Sequence, residues 1–254
     1  MIQSSASYKA YVIYKQDQAL SKRLALGCVN TASKFGITVE YSPGLYQQEA
    51  LDFLANHGLK PWLDKDGNET VLTKAFPRKG VLASHYSLWM KCAELDEPII
   101  VLEHDAIFIR PLPEVHGKFD DFLSLDPHSN DPLDPRKGMQ ATFITEPHIY
   151  EEKVKRDGPM TIERFYGYGE YGDELTVENY KARFIRGSHG YIITPKACQK
   201  LFATIKEHGY VTSDVQLNSM FIDMYILQPS VVRINEFYCT RDNHSRYSHC
   251  STVV

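Results

Sequence analysis

The sequence has few cysteines, and none of them belongs to a paired motif. Its 254 residues include five Cys, an odd number, and no Cys-x-x-Cys pair occurs. A disulfide framework and a zinc knuckle are therefore not expected. The chain also lacks an apolar run of the roughly 18 residues that a membrane-spanning helix needs. Its first residues lack the charged and apolar regions of a secretory signal. These absences predict a cytoplasmic protein without a transmembrane segment.

A large excess of either charge is also lacking. The net charge is −4, with 43% hydrophobic and 24% charged residues, which is typical of a folded globular protein. Non-specific attraction to nucleic acid or to anionic membranes is therefore not favoured. The phosphate-binding pattern Gly-x-x-x-x-Gly-Lys-Ser/Thr does not occur, which disfavours a P-loop enzyme. Because no internal repeat or linker-like segment interrupts the chain, we expect residues 1–254 to form one domain.

Hydrophobic periodicity predicts an α/β fold. A strand over residues 8–14, a helix over 18–35 and a strand over 37–41 form the start of a parallel α/β unit. A strongly apolar strand follows at residues 99–102, and a further strand at 190–194. Additional helices are predicted over residues 47–56, 80–95, 195–207 and 213–223, the last with Ser213 or Asp214 as its cap.

Two later segments favour irregular structure. Prolines indicate a loop over residues 126–138, and residues 163–173 alternate aromatic residues with glycine, which is typical of a mobile flap.

The acidic group Glu103-His104-Asp105 interrupts an apolar run, where unpaired charge is costly. Ligands gather at the carboxyl ends of strands in an open parallel sheet. Because side chains alternate along a strand, Glu103 and Asp105 would share one face and His104 the other. Two carboxylates on one face suit Mg²⁺ or Mn²⁺, and such an ion can neutralise a departing diphosphate. A salt-bridged strand end is the structural alternative.

Several blocks of the sequence, spread in order over about residues 10–232, resemble glycosyltransferase family 25, the lipopolysaccharide-biosynthesis and collagen-galactosyltransferase-like group. The most specific blocks are residues 79–89 with Ser84-His85 and Trp89, and residues 100–106 with the acidic group. Residues 187–197, with Gly187 and Tyr191, are a second and less specific match. Asp214, Pro229-Ser230, the first strand and Arg23 match more loosely. One departure is His104, because the family usually has an acid at that position.

The resemblance implies a GT-A-like, Rossmann-like nucleotide-sugar-binding domain with a mixed central sheet. It also implies a UDP-sugar donor, a metal ion, Mn²⁺ or Mg²⁺, and a hexosyl- or pentosyltransferase activity. Asp105 is the first candidate metal ligand and Glu103 the second, although Glu103 could instead contact the donor's ribose. His244 is a candidate third ligand, with His249 as its rival. The other candidate donor-binding residues are Arg23, Ser84, His85, Gly187, Ser188 and His189.

Several roles have alternatives at this stage. Asp214 is the candidate general base for an inverting transfer, with helix capping as its other interpretation. His85 falls on the apolar stripe of its helix and could be a core residue. Arg186 and Lys196 could meet the diphosphate or remain surface charges.

The acceptor is also open: a glycan, a lipid-linked glycan, a protein hydroxyl or hydroxymethylated phage-type DNA. The aromatic segment 163–173 could stack on bases, and the basic tail with Arg241, Arg246 and Tyr247 could contact phosphates, which favours DNA; the net charge disfavours it. Two other functions compete with glycosyl transfer. One is a metal-dependent nucleotidyltransferase or hydrolase, and the other is an inactive sugar-binding module.

Overall fold

The computed structural model describes residues 8–70, 72–126, 160–165, 184–185 and 188–235. Five helices occur in this part: α1 (Ala19–Ser33), α2 (Gln47–Asn56), α3 (Phe76–Leu95), α4 (Pro195–His208) and α5 (Ser213–Gln216). The strands are β1 (Lys9–Tyr14), β2 (Val39–Pro43), β3 (Ile99–Glu103), β4 (Ala106–Phe108), β5 (Phe122–Ser124), β6 (Thr161–Phe165), β7 (Gly190–Ile193), β8 (Met224–Gln228) and β9 (Val232–Ile234). No helix of the described part is long and apolar enough to cross a bilayer.

Seven of the strands form one mixed sheet in the order β2-β1-β3-β7-β5-β8-β6, and β4 and β9 form a separate two-stranded sheet. β1 pairs in parallel with β2 and β3, and β5 pairs in parallel with β8. β7 runs antiparallel between β3 and β5. This α/β arrangement with a mixed central sheet agrees with the predicted GT-A-like, Rossmann-like fold.

Apolar side chains fill both faces of the central sheet. On one face, Val101 and Tyr191 belong to a buried cluster that includes residues of α3 and α4. On the other, Val12 and Leu102 pack in a second cluster with residues of α1. Alternation along each strand produces this division. Because both faces of the sheet are covered, β3 is buried throughout and apolar up to its last residue, Glu103.

Helix α3 begins four residues before the predicted start at Gly80. Pro77 occupies its first turn, where a missing N–H costs nothing. Gly80 instead permits a close approach, because a Cβ there would lie 2.9 Å from the Leu45 carbonyl oxygen. This contact brings the loop after β2 against α3.

Two other predicted segments are corrected by tertiary pairing. The helix expected to run to Asp223 ends at Gln216 after one turn, because Asn218 is fully buried and bridges to Phe184. Residues 163–165 of the expected flap belong to β6, which pairs with β8. Residues 166–173, the rest of that flap, lie outside the described residues.

An ion network around a buried carboxylate lies at the end of the sheet opposite to the carboxyl end of β3. Asp121 precedes β5, is fully buried, and accepts hydrogen bonds from the Lys200 ammonium and from the Asp223 N–H. Lys200 also reaches Asp223 Oδ2 at 3.4 Å. The network therefore joins α4 to the starts of β5 and β8.

We expect Asp121→Asn to lower the free energy of unfolding by about 2 kcal/mol, because the buried partner of the Lys200 ammonium loses its charge. Lys200 is partly exposed and stays hydrated, so the full cost of an isolated buried charge does not arise. Urea unfolding measures the loss. An unchanged unfolding midpoint would show that the network contributes nothing to stability.

Candidate active site

A cleft of about 370 Å³ opens at the carboxyl ends of the parallel strands β1, β2 and β3. This is the edge at which α/β sheets bind ligands. Its wall is largely apolar, with a few polar groups from three loops and from α3. The lining residues include Tyr14, Lys15, Gln18, Tyr46, Gln47, Phe76, Gly80, Ser84, His85, Glu103 and His104.

The acidic group forms the turn by which the chain leaves the central sheet. Glu103 is the last residue of β3, His104 and Asp105 form the turn, and Ala106 begins β4. The expected strand alternation across these residues is therefore wrong, because the strand ends at Glu103. Glu103 and His104 both line the cleft, whereas Asp105 turns inward and is 2% exposed.

Three side chains around this turn converge on one point. Single ligand atoms of Glu103, Asp105 and His189 all lie within 4.8 Å of one another, and all three residues are buried. His189 precedes β7, and its carbonyl oxygen accepts the Glu103 N–H at 2.9 Å. The antiparallel pairing of β3 with β7 thus places an imidazole beside the two carboxylates.

Hydrogen bonding in this cluster is incomplete. His189 Nδ1 lies 3.2 Å from Glu103 Oε2 without forming a hydrogen bond, and 3.8 Å from Asp105 Oδ1, which is too far for one. Both carboxylate oxygens of Asp105 are buried and have no hydrogen-bond partner among the described residues. The cluster could hold a divalent cation, since it offers two carboxylates and one imidazole.

The electrostatics of the cluster are set by its own members. Burial alone would raise the pKa of Glu103, but the imidazoles of His189 and His85 hold it well below its usual range. Burial alone would lower the pKa of His189, but the carboxylates of Asp105 and Glu103 hold it well above its usual range. Both shifts favour the charged forms of these side chains.

The other oxygen of Glu103, Oε1, is held from two sides. Ser188 Oγ lies 2.8 Å from it and His85 Nε2 lies 3.3 Å from it. Ser188 Oγ also lies 2.6 Å from Oδ1 of Asp214, which is half-buried in α5. A hydroxyl has one hydrogen, so Ser188 can donate to only one of these carboxylates at a time.

Behind Glu103, His85 is connected to a buried aromatic pair. Its Nδ1 lies 2.8 Å from the Tyr191 hydroxyl, and the oxygen of that hydroxyl accepts a hydrogen bond from Trp89 Nε1 at 2.9 Å. His85 is therefore a buried core residue, as one interpretation expected, and it also contacts the carboxylate of Glu103.

Ser84 has a different position from its neighbour. Its Oγ accepts the Leu45 N–H at 2.8 Å and donates to the Gly80 carbonyl at 2.7 Å. Ser84 thereby holds the loop after β2 against α3, and it also lines the cleft.

The remaining predicted residues fall elsewhere. Arg23 lies on the exposed side of α1 and is not among the described residues that line the cleft. Lys196 Nζ lies 3.9 Å from Asp121 Oδ1, at the end of the sheet opposite to the cleft, so it would not reach a diphosphate bound there. Asp214 does not cap α5, because the cap is Thr212 and makes no side-chain bond. Gly187, Arg186, His244 and His249 lie outside the described residues.

Some cleft residues were missed by the sequence analysis. Lys15 and Tyr46 follow the ends of β1 and β2, and Phe76, 59% exposed, stands at the start of α3. The first two could have been found, because the carboxyl ends of parallel strands predict where loops meet. His189 was expected to bind the donor, but its place beside both carboxylates depends on strand pairing.

A comparison with protein families identifies the family of the chain. The family model of glycosyltransferase family 25, described as LPS biosynthesis protein, matches residues 18–217. No curated protein matches the chain. The matched range contains the turn after β3, His189 and α5, and it covers more than half of the 254 residues. The chain therefore belongs to glycosyltransferase family 25.

Proposed function

We propose that the protein transfers a sugar from a UDP-sugar to an acceptor hydroxyl with the help of a divalent cation held by Glu103, Asp105 and His189. Membership of the family implies glycosyltransferase activity, which requires a nucleotide-sugar donor. The donor's nucleotide, the cation and the roles of the residues are our proposal.

The proposal of a metal site is supported most directly by the environment of the Asp105 carboxylate. Two buried carboxylate oxygens without hydrogen-bond partners among the described residues are costly unless a cation compensates them. Glu103 Oε2 and His189 Nδ1 lie next to them, so these residues fit a metal ion. The carboxylates suit Mg²⁺ or Mn²⁺, and the imidazole favours Mn²⁺ over Mg²⁺. The ion would supply the positive charge that stabilises a departing diphosphate.

The cleft supports the donor assignment. Its volume lies within the range of small-molecule sites, and its apolar wall is combined with a few polar groups. Tyr14, Tyr46 and Phe76 offer flat surfaces to a nucleobase or a sugar ring, and Lys15 brings positive charge for phosphate. Glu103 lies at the cleft and in the cluster at once, which connects the donor site to the metal site.

Asp214 is proposed as the general base. Asp214 is half-buried, and the Ser188 hydroxyl lies 2.6 Å from one of its carboxylate oxygens. In an inverting transfer, such a carboxylate takes the proton of the acceptor hydroxyl as the sugar migrates. Ser188 contacts both Asp214 and Glu103, so it sets the spacing between the base and the metal site.

We propose a hydroxyl of a glycan as the acceptor, because the matched family is described by LPS biosynthesis. The DNA alternative depends on Arg241, Arg246, Tyr247 and residues 166–173, all of which lie outside the described residues. Glycans and hydroxymethylated DNA are therefore both assayed as acceptors once a donor is known.

The first test is the melting temperature with nucleoside diphosphates, with and without Mn²⁺. A ligand at 100 times its dissociation constant stabilises by about 2.7 kcal/mol, which raises the melting temperature by roughly 5–10 °C at this chain length. We expect this shift with UDP, and only when Mn²⁺ is present. A shift with nucleoside triphosphates alone would favour a nucleotidyltransferase or hydrolase. No shift with any nucleotide would favour a sugar-binding module.

A further inference from the structure

We propose that Trp89, Tyr191 and His85 form a hydrogen-bond relay that orients the Glu103 carboxylate, so that Oε1 is held by the relay and Oε2 is presented to the cation. The inference rests on the proposed function, because it concerns how this metal site is prepared. Tyr191 and Trp89 are positioning residues: they do not reach the cleft, and they act through His85. All four side chains of the series are buried.

The direction of the hydrogen bonds follows from counting hydrogens. The indole of Trp89 can only donate, so at 2.9 Å its Nε1–H must point to the Tyr191 oxygen. The Tyr191 hydroxyl keeps its single hydrogen for another acceptor. Among the described residues, that acceptor is His85 Nδ1 at 2.8 Å. Tyr191 therefore donates to the imidazole.

This direction selects one tautomer of His85. With Nδ1 accepting, the ring of the neutral imidazole carries its hydrogen on Nε2. That nitrogen lies 3.3 Å from Glu103 Oε1, so the hydrogen points to the carboxylate. The opposite tautomer would place two lone pairs against each other at this contact. The indole thus determines, through the intervening Tyr191 hydroxyl, which nitrogen of His85 carries the hydrogen.

The two carboxylate oxygens of Glu103 have different partners in this arrangement. Oε1 faces His85 Nε2 and, at 2.8 Å, Ser188 Oγ. Oε2 faces His189 Nδ1 at 3.2 Å, on the side where Asp105 lies. Groups that hydrogen-bond a metal ligand fix its orientation and affect metal affinity strongly. The relay therefore leaves Oε2 as the oxygen available to a cation.

Packing makes the relay rigid. The Tyr191 ring stacks on Phe122 at a centroid distance of 5.0 Å, and its centroid lies 5.8 Å from that of His85, to which its hydroxyl is hydrogen-bonded. Trp89 and His85 are four residues apart on α3, so they lie on one side of the helix. Tyr191 lies on β7, at the centre of the sheet. A site supported by a helix and a central strand holds its geometry better than one on loops.

The decisive variant is Tyr191→Phe, which removes one hydroxyl and keeps the stacked ring. We expect the dissociation constant for Mn²⁺, measured by paramagnetic resonance titration of the full chain without nucleotide, to rise about 10–100-fold. The matched control is Phe122→Leu, which removes the aromatic ring stacked on Tyr191 without touching a side-chain hydrogen bond of the relay. It should lower the melting temperature and leave Mn²⁺ affinity within about twofold of the wild type.

Two variants of His85 separate polarity from packing. An amide can accept from Tyr191 and donate to Glu103, so His85→Gln should retain most of the Mn²⁺ affinity, whereas His85→Leu should lose it. Nitrogen chemical shifts of the wild-type imidazole provide a readout that needs no metal. They should show the hydrogen on Nε2, and a mixture of tautomers in Tyr191→Phe.

The outcomes distinguish the relay from the proposed function. Wild-type protein that fails to bind Mn²⁺ would overturn the metal site, and the role of the relay with it. Equal Mn²⁺ binding by the wild type and by Tyr191→Phe would overturn the relay alone. The same holds if His85 carries its hydrogen on Nδ1, or if Phe122→Leu weakens Mn²⁺ binding as much as Tyr191→Phe does.

Discussion

Asp105→Asn should abolish Mn²⁺-dependent binding of UDP and lower the rate of sugar transfer by about 10³-fold or more, because the cation loses a charged ligand and the leaving diphosphate loses the cation. Without metal, the variant should be as stable as the wild type to within about 1 kcal/mol, for two reasons. The Asp105 oxygens make no hydrogen bonds with the described residues, and the Glu103 carboxylate, nearer to His189 Nδ1 at 3.2 Å, remains as the partner of the imidazole. Mn²⁺ titration, transfer assays and urea unfolding measure the three quantities.

The stability measurement separates a metal ligand from a structural ion pair. If Asp105 served mainly to pair with His189, removing its charge would leave a buried imidazolium and cost about 3–5 kcal/mol. Asp121→Asn is the matched control, because Asp121 is a buried carboxylate at the opposite edge of the sheet with its lysine partner in place. It should lose stability and keep Mn²⁺ binding. Transfer at the wild-type rate in Asp105→Asn would contradict the metal assignment.

Asp214→Asn should lower kcat by about 10²–10⁴-fold while KM for the donor and Mn²⁺ affinity stay unchanged, because the amide can no longer take the proton of the acceptor hydroxyl. The amide oxygen can still accept the hydrogen bond from Ser188, so the geometry around Glu103 should persist. Steady-state kinetics with varied donor, together with Mn²⁺ titration, measure the effect.

Ser213→Ala serves as the control for disturbance of α5. Ser213 is the neighbour of Asp214, and its Oγ lies 3.5 Å from Ser188 Oγ. This variant should keep kcat near that of the wild type. If Asp214→Asn turned over normally, Asp214 would be a partner of Ser188 without a catalytic role. If it weakened donor binding and turnover together, it would belong to the donor site instead.

Local patterns explain how much of the fold could be predicted. The elements β1, α1, α2, α3 and β3 follow from the spacing of apolar residues along the chain. The errors occur where distant contacts decide the structure. Asn218 is buried and forms a β-bridge with Phe184. This pairing ends α5 at Gln216, whereas the local sequence had predicted a helix up to Asp223.

The candidate site shows the same division. Glu103 and Asp105 were predicted because charge inside an apolar run is costly, and this argument needs no knowledge of the fold. The convergence of His189 on them could not be derived, because it depends on the register that pairs Leu102 with Gly190. Tyr191 belongs to a block that resembles the family, so the sequence indicated the residue itself. Its hydrogen bond to His85 could not be derived, because it depends on the packing of β7 against α3.

The pairing of β3 with β7 also ties the site to the cooperativity of folding. Ser188 and Glu103 are 85 residues apart in the chain, and Tyr191 and His85 are 106 apart. Forming contacts between residues so far apart in the chain costs loop-closure entropy, and these contacts form only when the centre of the sheet forms. A partly folded chain with β1, α1 and β2 in place would hold no part of the cluster. Any opening that separates β7 from β3 therefore dismantles the site, and the population of chains able to bind a cation is the population with an intact sheet.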